Sequence, residues 1–173
     1  IHKDDFKYAY EMGYTIKHLA IAKSTNNSID LRAHPSLVKL DSYLANLKGV
    51  RNGIEVETDL LGTLHIAGSG AGQEATASGV ISDLIYLSDS KIREVNNINE
   101  SIELIDFIDL NFQYYFYIEA SDVSGVMASI SSIFANKDVS IESISQKENL
   151  NDHLVPIIII TDPFKEKDHQ ELV

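Results

Sequence analysis

Apolar and polar residues follow one another in this chain with a period that switches between two and about three and a half, and each switch marks an element. Phe6, Ala9 and Tyr10 share a face of a predicted helix from Asp4 to Gly13, where a glycine suits the end. Ile16, Leu19 and Ile21 mark a strand over Thr15–Ala22, and Asn26-Asn27-Ser28 reads as a turn. Ile29–His34 alternates as a half-buried strand should, and Pro35 is expected to stop it. A short helical turn over Asp41–Leu47 follows. Asn52–Thr58 and Leu64–Ala67 then read as two strands joined by a hairpin link at Asp59–Gly62. Gly68-Ser69-Gly70-Ala71-Gly72 closes the second of these and feeds a helix from about Ala75 to Ser88. Val80, Ile81, Leu84 and Ile85 lie on the broad apolar face of that helix.

From Ser88 to Asn111 the pattern turns polar, which marks the best boundary, although Ile102–Leu110 keeps the spacing of a short helix. An aromatic strand, Tyr114–Ile118, opens the second half. Ser121–Gly125 turns into a helix with Val126, Ile130, Ile133 and Phe134 on one face, ended by Asn136-Lys137-Asp138. A strand at Val139–Ser145, a turn at Glu148–Asp152, an apolar strand at Leu154–Thr161 and a last helix from Asp162-Pro163 to Val173 complete the order β-α-β-β-α. A ferredoxin-like split β-α-β needs a fourth strand to complete its sheet, so the chain reads as cut at both ends. The expected class is α+β. Residues 1–92 form a mainly antiparallel sheet with helices on one face, 93–111 a linker, and 112–173 a ferredoxin-like βαββα(β) module without its last strand.

Composition narrows the functions. Lys and Arg total 14 against 26 for Asp and Glu, a net charge of −12. That balance repels phosphate backbones and anionic bilayers, so neither nucleic acid nor membrane is expected as a partner. The chain has no cysteine, which excludes disulfides and thiolate metal sites and fits a reducing cytoplasm. The longest apolar run, Val155–Ile160, is broken by Pro156 and is too short to span a bilayer. Ile1-His2-Lys3-Asp4-Asp5 is not a signal peptide.

The glycine loop looks like a nucleotide loop but is incomplete. A dinucleotide fingerprint would place its third glycine at Gln73, and no strand ending in an acidic residue follows to hold a ribose. The glycines signal close backbone approach, either to a ligand or within a tight strand-to-helix turn. Asp122, ahead of a helix start, with Gly125 beside it, has two readings as well. One is an amino-acid site, where helix N–H groups receive a carboxylate; the other is an N-cap and a turn residue. Lys17 and Lys23 read as solvated or interface lysines, Glu55 and Glu57 as a solvent-facing strand pair, and His34 as a structural strand-end residue. The six histidines show no metal-ligand spacing.

Three segments of the first half carry a resemblance: Asp5–Ala9, Gly13–Lys23 and Arg32-Ala33-His34-Pro35-Ser36-Leu37. With Gly49-Val50-Arg51-Asn52 and Gly68–Ser78 they follow the order seen in homoserine dehydrogenases, and the first ninety residues resemble that family from just past its catalytic segment. The second half resembles an ACT module, a small amino-acid-sensing unit, through Asp122-x-x-Gly125-Val126 and Ser140–Lys147. The chain departs from the common pattern at Ser69, Ala75 and Ser124, where the family often carries arginine, proline and proline. The resemblance implies hydride exchange with NAD or NADP between homoserine and aspartate semialdehyde. It places the catalytic groups upstream of Ile1, so no catalytic residue is assigned and no cofactor is expected on this piece alone. It implies cofactor contact at Gly70 and Gly72, a threonine effector near Asp122 and Gly125, and a homodimer or higher homo-oligomer. The rival readings are a stand-alone amino-acid-sensing module and a structural dimerisation fragment.

Overall fold

The computed structural model describes residues 1–25, 27–89, 102–147 and 154–172. Asn26 of the expected turn, residues 93–101 of the expected linker and the expected turn Glu148–Asp152 lie outside the described residues. Helix α1 (Lys3–Glu11) starts where the His2 N–H donates to Asp5 Oδ2 at 2.5 Å. It stops at Gly13, whose φ of +86° no β-carbon would favour. Strands β1 (Tyr14–Thr25) and β2 (Ser28–Lys39) then pair antiparallel, from Tyr14 opposite Lys39 to Thr25 opposite Ser28.

Pro35 does not stop β2, contrary to expectation; it sits in register opposite His18. The reason is an open edge. The other neighbour of β2 pairs only at Ser28 and Ile29, so at Pro35 no ladder partner misses the absent N–H. Asp41–Leu47 holds only a 3₁₀ turn, Leu44–Asn46. There the Asn46 amide donates to the Leu40 and Ser42 carbonyls, offering the backbone a local alternative to a helix.

A second hairpin joins β3 (Arg51–Thr58) to β4 (Gly62–Ser69) and forms its own two-stranded sheet. Thr58 closes it, accepting from the Leu61 N–H at 3.0 Å and donating to the Gly62 carbonyl at 2.8 Å. Helix α2 (Gln73–Asp89) follows. Instead of the expected helix, Ile102–Leu110 holds β5 (Glu103–Leu104), parallel to the start of β2, and a 3₁₀ turn at Phe107–Asp109.

The C-terminal half runs β6 (Asn111–Phe112), β7 (Tyr115–Ser121), α3 (Val126–Ala135), β8 (Ile141–Gln146), β9 (Leu154–Thr161), β10 (Phe164–Lys165) and α4 (Glu166–Gln170). The last helix is shorter than expected because Phe164–Lys165 pairs with β6 first. Strand order in the main sheet is β7-β9-β8, all antiparallel. The central β9 is buried on both faces, which explains its nearly unbroken apolar run. Ile157 and Ile159 pack with Ile130 and Phe134 of α3, and Phe116 meets Phe134 edge-on. On the opposite face lies α1. Tyr8 stacks on Tyr117, the Tyr115 hydroxyl donates to Asp5 at 3.1 Å, and Lys147 Nζ donates to Glu11 at 2.6 Å. Among the described residues, the molecule is therefore an α+β assembly of mainly antiparallel sheets and four helices.

Candidate functional site

The glycine loop is built by β4 and α2. The Gly70 N–H donates to the Val50 carbonyl at 2.8 Å and ties the loop to the foot of β3. A β-carbon on Gly70 would fall 1.9 Å from the Asn52 amide nitrogen, the end of an exposed side chain that can turn aside. Gly72 has φ +118° and open space around it, and its carbonyl accepts the Thr76 N–H at 3.0 Å in the first bond of α2. Gly72 thus has an internal reason in its backbone. The open space at Gly72 also leaves the loop backbone approachable at a helix start, which fits a phosphate group.

Asp122 and Gly125 come together at the other candidate. Gly125 is the N-cap of α3 with φ +94°, and no side chain caps the helix. The N-cap reading of Asp122 is therefore overturned. Asp122 instead lines a cavity of about 290 Å³ with Ser121, Ser124, Met127 and Gln146. Val155 and Ile157 of β9 form its apolar wall. An uncapped helix start facing a carboxylate, two hydroxyls and an amide is suited to a small zwitterion. Sequence reading missed Gln146; it sits on β8, inside the stretch that carried the resemblance, and only the strand pairing shows that β8 reaches this cavity.

The remaining singled-out residues lie elsewhere. Lys17 donates to the Leu47 carbonyl at 2.5 Å, and Glu55 sits 3.4 Å from His65 across the hairpin. His34 Nδ1 lies 3.0 Å from the Pro35 carbonyl. Among the described residues, no group of three or more His, Cys, Asp or Glu is arranged to hold a metal ion, and no helix is long and apolar enough to cross a membrane.

The family description for homoserine dehydrogenase matches residues 1–85. A homoserine dehydrogenase of Pseudomonas aeruginosa is 38% identical over 168 residues, covering 91% of this chain and 39% of that protein. One of Helicobacter pylori is 37% identical over 169 residues, covering 96% of this chain and 40% of its own. The crystal structure of a homoserine dehydrogenase from Thiobacillus denitrificans superposes on the whole chain with a TM-score of 0.82 at 31% identity, covering 41% of that protein. The fold is that of the part of these relatives which the chain spans. It belongs to the homoserine dehydrogenase family. The chain spans about two fifths of the length of the relatives it matches.

Proposed function

We propose that this chain is the downstream portion of a cytoplasmic enzyme that interconverts L-homoserine and L-aspartate 4-semialdehyde with NAD or NADP, in threonine and methionine biosynthesis. One observation carries the reading: likeness to homoserine dehydrogenases runs through both the glycine loop and the C-terminal half. Residues 1–92 then end a substrate and dimerisation domain, 93–111 form the linker, and 112–173 form an incomplete ACT module. The sheet order β7-β9-β8 supports the last point, since it matches strands one, three and two of a ferredoxin-like sheet. β7 is left as the edge where a fourth strand would pair.

When bound, the nicotinamide supplies or accepts the hydride. The part of this chain is binding and orientation: the backbone at Gly72 and the first N–H groups of α2 would hold the cofactor phosphates, beside Gly70, whose own N–H is bound to Val50. Groups that move the hydroxyl proton belong upstream of Ile1. In the cavity beside α3, the effector's carboxylate meets the start of the helix that follows Gly125, which no side chain caps, and its ammonium meets Asp122. Threonine is the effector the family implies.

The apolar residues left in the open support an oligomer. Ile54, Ile66, Val56 and Leu64 share one face of the β3–β4 hairpin, each more than a third exposed. Val80, Ile81, Leu84 and Ile85 on α2 are each more than half exposed. Such faces belong against a second subunit or the rest of the enzyme.

The test pairs two measurements on the full-length protein. Homoserine-dependent reduction of NADP should appear, and threonine should bind by calorimetry. Asp122→Ala should weaken threonine binding at least tenfold. Absence of turnover with either nicotinamide cofactor defeats the enzymatic reading, and threonine binding untouched by D122A defeats the effector site.

A further inference from the structure

A larger cavity, of about 480 Å³, lies where the β1–β2 hairpin meets the C-terminal half, and nothing above gives it a role. Its size suits a small molecule. Five rings line it, from Tyr14, Phe107, Phe112, Tyr114 and Tyr115.

Its polar groups are Asp5, Glu166, Arg32 and His34, with Ser36 and Gln113. Asp5 and Glu166 are each less than a tenth exposed. The Tyr115 hydroxyl donates to Asp5 at 3.1 Å, and the Tyr114 hydroxyl to Glu166 at 2.6 Å. Burial first, and the carboxylates second, push both phenols well above their ordinary value, so they remain donors and the carboxylates remain acceptors. Arg32 pairs with Asp30 and lies 4.8 Å over the Phe112 ring. His34 Nδ1 faces the Pro35 carbonyl at 3.0 Å and Ser36 Oγ at 3.1 Å.

Among the described residues, three buried polar atoms in and beside this region have no hydrogen-bond partner: Asp30 Oδ1, His34 Nε2 and Arg32 Nε. Asp30 Oδ1 accepts and Arg32 Nε donates, while His34 Nε2 takes either role. Buried polar atoms are costly when unpaired, so the region calls for a polar ligand. Charge points to a cation, with two lining carboxylates, Asp5 and Glu166, against one guanidinium already paired with Asp30. The ring faces favour a cation as well. An anion would meet Asp5 and Glu166.

We propose that this cavity binds a small organic cation, a primary ammonium group carried on an apolar or aromatic body. The proposal stands apart from the threonine site, which lies in the other cavity.

The probe is 2-phenylethylammonium, with 3-phenylpropionate as a control of similar size and opposite charge, titrated into the full-length protein by calorimetry. The ammonium should bind at least tenfold more tightly than the carboxylate, and less tightly as salt is raised. Glu166→Gln and Phe112→Leu should each weaken it at least fivefold, while Asp122→Ala should leave it unchanged. Should E166Q fail to fold, F112L and the salt series carry the same reading. Equal affinity for the two probes, preference for the carboxylate, no binding of either at millimolar concentration, or loss of binding in D122A would overturn the proposal.

Discussion

At Gly70 a methyl group would collide with the Asn52 side chain, 1.9 Å from its amide nitrogen, and the loop backbone is pinned by its bond to Val50. The obstacle is the end of an exposed side chain that can turn aside, so Gly70→Ala should cost no more than about 0.5 kcal/mol, which chemical denaturation measures. Gly125→Ala meets a different obstacle. Open space surrounds it, but its φ of +94° is left-handed, and the backbone cost is about 1–2 kcal/mol. The sequence made these positions conspicuous as glycines. It did not show that Asn52, on the neighbouring strand, is what a side chain at Gly70 would meet, because that follows from the register of β3 against β4. Asp122 was legible as a binding candidate. Its release from capping was not, because only the backbone shows that Gly125 takes the N-cap position.

Among the elements, β9 and α1 hold the most. Ile158 is fully buried at the centre of the main sheet, and Ile158→Ala should cost about 2–5 kcal/mol in a denaturant titration. Lys147 donates to Glu11 and holds its carboxyl below the ordinary carboxylate value, chiefly through that hydrogen bond. A carboxyl depressed by folding stabilises the fold above its unfolded pKa and loses that gain as pH falls through its folded pKa. Lys147→Met should flatten the acid side of the stability curve as pH falls through and below the ordinary carboxylate range, with little change in shape near neutrality. Urea midpoints across that range test it. Where sequence reading held, the element carried its own period: α1, β1, the β3–β4 hairpin, α2 and β9 all stand where the pattern put them. It failed where a tertiary partner decided. Pro35 stays in a strand because the strand has an open edge, and the last helix gives up its first residues to β6. Local pattern carries no word of either neighbour.

The whole molecule shows uneven burial. The central strand of the C-terminal sheet is buried on both faces, whereas the β3–β4 hairpin and α2 keep large apolar side chains in the open. Purified alone, this chain should associate as its concentration rises, and Ile54→Lys with Ile66→Lys should lower the mass read by light scattering without shifting the far-ultraviolet spectrum. The seating of α1 has a consequence of its own. Asp5 and Glu11 reach partners 110 and 136 residues away, so the beginning of the chain shields part of a sheet made near its end. A protease nick between Asp89 and Ile102 would then yield two peptides that co-elute from a sizing column, and a recombinant piece starting after the nick would come out of solution with bare isoleucines and tyrosines on its uncovered side.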